Sequence, residues 1–289
     1  MSVNVANALT VDVEDYFQVA ALSSVIKPHQ WEQYDRGRVV PNTQRLMDMI
    51  QQAGHGATFF VLGWIAERYP DLVRQIDKAG FEVASHGYSH QLIYQQSPAV
   101  FREETIKSKS LLEDIIGKPV RGYRAASYSI TPASEWALDI LAELGFSYDS
   151  SLFPVKHDRY GMPGAKPLPH RLETPSGETL VEFSLTSLDI MGYRLPIAGG
   201  GYFRLFPYWF SQWALSKHLA RTNKPFVFYL HPWEIDVDQP RVAGLPLKSV
   251  FRHYNNLDKC EKRLSTLLSK YHFRDMETVL ESEGLLSRC

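Results

Sequence analysis

Short apolar runs alternate along this chain with longer stretches whose apolar positions recur every three or four residues. The first kind of pattern signals a buried strand and the second an amphipathic helix. Residues 7–13 read as a strand. Residues 41–54 predict a helix with Leu46, Met49, Ile50 and Ala53 on one face and Gly54 as its stop. A strand follows at 57–62, then a helix over 64–79 with Gly80 as its C-cap. Residues 81–85 form the next strand. The helix over 97–117 has Ser97 as its cap and Pro98 at its first position. A short strand at 122–124, a helix over 132–145 and a strand at 146–149 continue the alternation. Repeated β-then-α with short connections predicts an α/β fold built on a parallel sheet or barrel.

The middle of the chain changes character. Residues 157–169 are rich in Pro, Gly and basic side chains and read as an ordered loop. Residues 173–185 predict a hairpin around Ser176-Gly177. Residues 196–206 carry Gly199-Gly200-Gly201 and then Arg204, and read as a flexible loop that lets backbone approach a ligand. A helix at 207–221 leads to the apolar strand 225–230, which ends at His231. Residues 240–246 are loop, and helices are expected over 257–271 and 276–283. No repeat or low-complexity linker divides the chain. The expectation is one domain, with a core over about 7–235 and a C-terminal helical extension over about 236–289.

Composition narrows the function classes. The net charge of −1 over 289 residues offers no field to attract nucleic acid or an anionic membrane. No apolar run is long enough to span a bilayer, so no transmembrane segment is expected. Cys260 and Cys289 make neither a disulfide framework nor a zinc knuckle. With no signal peptide visible at Met-Ser-Val-Asn-Val, the chain is expected to be cytoplasmic. The sequence leaves the oligomeric state open.

Reactive side chains gather where strands end. Ser85-His86-Gly87-Tyr88-Ser89-His90 places two histidines four apart after a strand. In a helical turn, such a pair shares a face and both imidazoles reach one ion. The bland reading is two surface histidines near a turn. Asp12, Glu14 and Asp15 close the first strand. Like charges this close repel unless a cation or proton sits among them, whereas a helix cap accounts for one of the three. Arg124, Asp149 and His231 follow at later strand ends.

These residues resemble the polysaccharide deacetylases with the NodB homology domain (carbohydrate esterase family 4). Thr10-Val11-Asp12-Val13-Glu14-Asp15 stands where that family has paired acids. Ser85–His90 matches its His-x-x-x-His motif, and Arg124-Ala125-Ala126-Ser127-Tyr128 its Arg-x-Pro-aromatic motif, with Ala126 in place of proline. Tyr148-Asp149 resembles the fourth motif. Tyr229-Leu230-His231 resembles Leu-x-His, with an aromatic residue at the leucine position. The acid run is similar to the branch holding peptidoglycan deacetylases and allantoinase-like members. The tail Tyr-Leu-His-Pro-Trp-Glu is similar to deacetylases of exopolysaccharide loci.

The resemblance implies a distorted (β/α) barrel of the NodB-like deacetylase type and metal-dependent hydrolysis of N-acetyl groups on a sugar polymer or oligosaccharide. The implied ion is divalent: zinc first, with cobalt and nickel as alternatives. Its ligands would be His86, His90 and one carboxylate. Strand alternation favours Glu14, and a kink after the strand would bring in Asp15 instead. Asp12 would be the general base, held by Arg124, and His231 the acid, with Asp149 setting its tautomer. A backbone N–H near Ser127 or Tyr128 would stabilise the oxyanion. Tyr128, Asp149 and Trp233 would line the substrate site. The alternative on the same scaffold is hydrolysis of a small cyclic amide, as in allantoinase. A catalytically dead carbohydrate-binding module would lack Asp12 or His231, and both are present.

Overall fold

The computed structural model describes residues 5–156 and 161–287. Its strands are β1 (Asn7–Val13), β2 (Thr58–Val61), β3 (Glu82–Ser85), β4 (Gly122–Tyr123), β5 (Tyr148–Asp149), β6 (His170–Glu173), β7 (Thr179–Glu182), β8 (Ser187–Ile190), β9 (Tyr193–Pro196), β10 (Val227–Leu230) and β11 (Phe273–Arg274). Nine of them form one sheet in the order β10-β1-β2-β3-β4-β5-β7-β6, with β11 beside β1; β8 and β9 form a separate hairpin. Only the β6–β7 pair in the large sheet is antiparallel. The sheet curls into an α/β barrel of the expected kind without a complete ladder. At the gap the Thr186 hydroxyl takes the place of strand pairing, donating to Val227 O at 3.0 Å and accepting from Val227 N at 2.9 Å.

Every residue of β1 is buried, because helices cover its outer face and the barrel interior covers the other. Alternation sorts its side chains. Leu9, Val11 and Val13 join Phe59, Val61, Phe228 and Leu230 in the layer beneath the helices. Ala8 joins Phe60, Ala84, Tyr148 and Val227 inside the barrel. Burial of each such Val, Leu or Phe contributes about 1.5–3 kcal/mol. Thr10 and Asp12 share the interior face with Ala8, so β1 carries a carboxylate into the barrel interior.

The registers then set one rim. Val13 pairs with Val61, Val61 with Ser85, Ser85 with Tyr123, Tyr123 with Asp149, and Val11 with Leu230. The next residues along each strand, Glu14, His86, Arg124, Ser150 and His231, therefore emerge at the same end of the barrel.

Several sequence expectations are corrected. The predicted helix over 64–79 is two helices, Gly63–Arg68 and Pro70–Lys78, broken at Tyr69 (φ −126°, ψ 56°). The residue before a proline is pushed out of the helical region, and Pro70 restarts the helix at its first turn. The helix predicted at 132 opens as a 3₁₀ turn, Pro132–Ser134, before the α-helix Trp136–Glu143. Residues 196–206 are not a flexible loop: Gly200–Leu205 is a helix. A Cβ on Gly199 would run into the Tyr229 ring and one on Gly200 into the Glu234 carboxylate, so these glycines serve close packing. The C-terminal extension is not purely helical, since β11 adds to the sheet beside β1. The helix Met276–Ser282 then puts Met276, Val279 and Leu280 into the interior cluster. Of the loop expected at 157–169, residues 157–160 lie outside the described residues. Among the described residues, no helix is long and apolar enough to cross a membrane.

Candidate active site

Glu14, His86 and His90 converge so that one ligand atom from each lies within 4.8 Å of the others. The two histidines do not share a helical turn. Gly87 (φ 72°) and His90 (φ 54°) take left-handed conformations in an irregular loop after β3, which folds the rings to 5.3 Å between centroids. His86 Nδ1 lies 2.9 Å from the Arg124 carbonyl oxygen, which can only accept. That contact fixes the N–H on Nδ1 and leaves the Nε2 lone pair free. Burial lowers His86 to about 4 and keeps the ring neutral. Burial opposes ionisation of Glu14, but the facing His90 and His231 rings outweigh it and hold the carboxyl at about 2.

This donor set fits a divalent ion. Glu14 Oε2 is buried without a hydrogen-bond donor aligned on it, although His90 Nε2 stands only 2.7 Å away. Two ligand atoms facing each other in this way are what a cation would separate and satisfy. Two imidazoles and one carboxylate, with positions left for water and substrate, are the donors of catalytic zinc sites.

Asp15 does not join them. Its Oδ1 accepts from Tyr16 N at 2.7 Å and its Oδ2 from Val39 N at 3.1 Å, so it caps the 3₁₀ turn Tyr16–Gln18 and anchors the helix Val39–Gln52. Burial pushes its carboxyl up to about 7 despite those two amides. The choice left open between Glu14 and Asp15 thus falls geometrically to Glu14. Asp15 takes the capping role that explains one acid of the three.

On one side of the cluster stands Asp12, only 2 % exposed. Arg124 Nη1 donates to its Oδ1 at 2.7 Å, and the Tyr128 hydroxyl donates to its Oδ2 at 3.3 Å. Arg124 is itself fully buried. It also donates to Thr10 Oγ1 at 2.7 Å, Ser150 Oγ at 2.9 Å and Ser150 O at 3.2 Å, and it stacks over Phe60 at 4.1 Å. Its orientation is therefore set by four hydrogen bonds and the Phe60 ring, and only one of the bonds goes to Asp12. Ser127 (φ 51°) and Tyr128 (φ 55°) are consecutive left-handed residues without glycine's freedom, a strain of about 1–3 kcal/mol each held at the site. This bend turns Tyr128 toward Asp12. The Tyr128 N–H already donates to Ala125 O at 3.0 Å, so it is not available to an oxyanion.

On the other side His231 Nε2 lies 3.4 Å from Glu14 Oε1 and 3.9 Å from Asp12 Oδ2. Its Nδ1 meets Glu234 Oε2 at 3.0 Å. Burial disfavours the charged ring, but the Glu234 contact and the charges of Glu14, Glu234 and Asp12 outweigh it and push His231 up to about 9.

Two expectations are corrected here. Asp149 does not reach His231. It is fully buried, its Oδ1 accepting from Ser151 Oγ at 2.5 Å, and it interacts with the Glu182 carboxyl, its register partner on β7. Buried carboxyls so placed share a proton, and burial raises Asp149 to about 6. It lines no substrate surface. Trp233 is 6 % exposed, with His231 stacked on it at 5.2 Å and His253 at 4.5 Å, so it backs the histidine instead of offering a face to sugar. Glu234 and Arg204 were missed by the sequence reading. His231-Pro232-Trp233-Glu234 has proline at a first turn and glutamate three after the cap, the spacing at which a side chain reaches back, and that signal could have found Glu234. Arg204 stands in the apolar run Tyr-Phe-Arg-Leu-Phe, where a buried cation demands an anion.

Comparison with known proteins bears on the family and the fold. Residues 27–148 match the family model "Polysaccharide deacetylase", and residues 150–281 match a domain of unknown function (DUF3473). The chain is similar to a peptidoglycan-N-acetylglucosamine deacetylase of Bacillus cereus, 26% identical over 184 residues, or 60% of this chain and 65% of that protein. It is also similar to a peptidoglycan deacetylase of Helicobacter pylori, 26% identical over 147 residues, or 51% of this chain and 46% of the other. The match thus spans less than two thirds of either relative. A crystal structure of a Mycobacterium smegmatis protein classed with the polysaccharide deacetylases shares the fold, with a TM-score of 0.65 at 20% identity over 99% of this chain and 93% of that one. The Puue allantoinase shares it too, with a TM-score of 0.62 at 14% identity over 98% and 92%. On these matches, residues 27–148 carry a polysaccharide deacetylase domain, and the chain shares the barrel fold of these solved structures.

Proposed function

We propose that this protein hydrolyses N-acetyl groups on a sugar polymer or oligosaccharide, releasing acetate, with a divalent metal held by Glu14, His86 and His90. The observation that carries the reading is the grouping of those three side chains between the Arg124–Asp12 pair and His231. When bound, the ion would polarise the acetamide carbonyl and make water more acidic. The other steps fall to the chain's own residues. Asp12 would take the water proton through Oδ2, since Arg124 occupies Oδ1. Tyr128 and Arg124 would keep that carboxylate in place. His231 would present Nε2 to the departing amine and supply its proton, which an amine leaving group requires. The curated relatives are named for peptidoglycan, which makes N-acetylglucosamine-containing polymers the first substrates to try.

The test is acetate release from N-acetylated oligosaccharides by chelated protein to which zinc, cobalt or nickel is added back, with allantoin as a parallel substrate. Metal-dependent acetate release is the expected result. Ring opening of allantoin with no acetate from any sugar would overturn the proposal in favour of the cyclic-amide alternative.

A further inference from the structure

His231 sits in a holder built entirely by the second half of the chain. Three N–H groups meet the two oxygens of Glu234. Arg204 Nε donates to Oε1 at 2.7 Å, and the His231 backbone N–H donates to Oε2 at 3.1 Å, beside the ring Nδ1 at 3.0 Å. A protonated carboxyl or an amide at this position would turn a donor toward donors. Glu234 is fully buried and Arg204 is 2 % exposed, a placement that costs several kcal/mol per ion unless every remaining group is satisfied. Arg204 completes its bonds with Nη1 to His253 O and Asn255 O, each at 2.8 Å, and Nη2 to Arg252 O at 3.2 Å. Those carbonyls close the helix Leu247–Tyr254. Gly200 lets the helix that carries Arg204 seat against the Glu234 carboxylate.

The face of the imidazole is fixed as well. Trp233 lies almost parallel to it at 23°, and His253 backs Trp233 at 19°. With Nδ1 engaged and one face covered, Nε2 is the atom left pointing at Asp12 and Glu14. Arg204, Trp233, Glu234 and His253 all lie within the region matched to the domain of unknown function.

We propose that the buried Arg204–Glu234 pair is a positioning device for His231, through which the second half of the chain fixes Nδ1 as donor and presents Nε2 to the substrate. Neither residue touches the cluster of Glu14, His86 and His90, so both act through His231. The proposal deepens the deacetylase reading and depends on it for its kinetic arm.

Full-length zinc-loaded protein carrying Glu234→Gln, Arg204→Met or Arg204→Lys is compared with wild type on penta-N-acetylchitopentaose and on 4-nitrophenyl acetate. The amide substrate needs a proton on its leaving amine and the aryl ester does not. Glu234→Gln and Arg204→Met should lower kcat on the amide by roughly 10- to 100-fold, the usual loss when a partner that orients a functional histidine is removed. KM, zinc content and aryl-ester turnover should stay within about twofold of wild type. Arg204→Lys should recover part of the loss. Equal losses on amide and ester in folded variants, or full amide activity in Glu234→Gln, would overturn the proposal. Proton NMR of the metal-free chain supplies an arm that needs no activity: a downfield His231 Nδ1–H resonance in wild type, lost in Glu234→Gln. Its absence from wild type overturns the positioning role. Its presence in a wild type that releases no acetate supports the positioning role while the deacetylase reading fails.

Discussion

Replacing Arg124 with methionine strips Asp12 of its cation while keeping much of the side-chain volume. The loss can be worked from the contacts. Asp12 is 2 % exposed and Arg124 is fully buried, so water cannot take the place of the guanidinium. Breaking a buried pair on one side costs about 3–5 kcal/mol, most of it the bared carboxylate. The neutral contacts matter less. Thr10 Oγ1 and Ser150 Oγ keep their own acceptors, Phe228 O at 3.1 Å and Phe183 O at 2.9 Å, and each forfeits only an incoming donor worth about 1 kcal/mol. The carboxylate term therefore decides the outcome. Asp12→Asn alone leaves Arg124 as the uncompensated charge and should also destabilise. Combining Asp12→Asn with Arg124→Met removes both charges and should recover about 2–3 kcal/mol of the summed losses. Urea unfolding of metal-free protein at neutral pH measures all four corners of the cycle. The reasoning is refuted if Arg124→Met costs less than about 1 kcal/mol, or if the two substitutions add without coupling.

Three further outcomes follow from the same geometry. Glu14→Gln, His86→Ala and His90→Ala should each lose stoichiometric zinc by elemental analysis. Asp15→Ala should keep the zinc and cost about 1–2 kcal/mol of stability through its lost caps, so metal loss in Asp15→Ala alone would reassign the ligand. Asp12→Asn and His231→Ala, with zinc retained, should lower acetate release by about 10²–10⁴-fold, and near wild-type rates would make either residue structural. Burial and the Asp275 charge push Glu82 up to about 7 despite its bonds from Thr58 and Tyr148, so the folded chain holds a proton there that the unfolded chain releases near 4.5. Wild-type stability should therefore fall relative to Glu82→Gln as pH rises from about 5 to 7, and parallel pH profiles would contradict that placement.

The alternation of strand and helix was legible because burial on two faces favours apolar strands, and β1 is mostly apolar before its acids. Local chemistry was also readable where one residue decides it. Ser97 caps its helix through a bond from Val100 N at 3.3 Å, and Gly117 ends that helix at φ 67°. The sequence reading failed where packing between distant segments decides. The glycines at 199–200 look like a flexible loop in the sequence, but Tyr229 and Glu234 fill the space their side chains would need. β11 holds only two residues and exists because the edge of β1 is there to pair with.

The same division runs through the site. The sequence by itself determined which residues stand at the strand ends, since period-two alternation and a reactive residue after each apolar run need only neighbours along the chain. Asp12, Glu14, His86, Arg124 and His231 were all found that way. Only the tertiary structure decided how they are used. It gave Asp15 to two backbone amides, paired Asp149 with Glu182, and stacked His231 and His253 on Trp233. It also brought Arg204 across thirty residues to Glu234. A buried charge takes as partner whatever group the fold places within about 3 Å, and the identity of that group is fixed by packing, not by spacing along the chain.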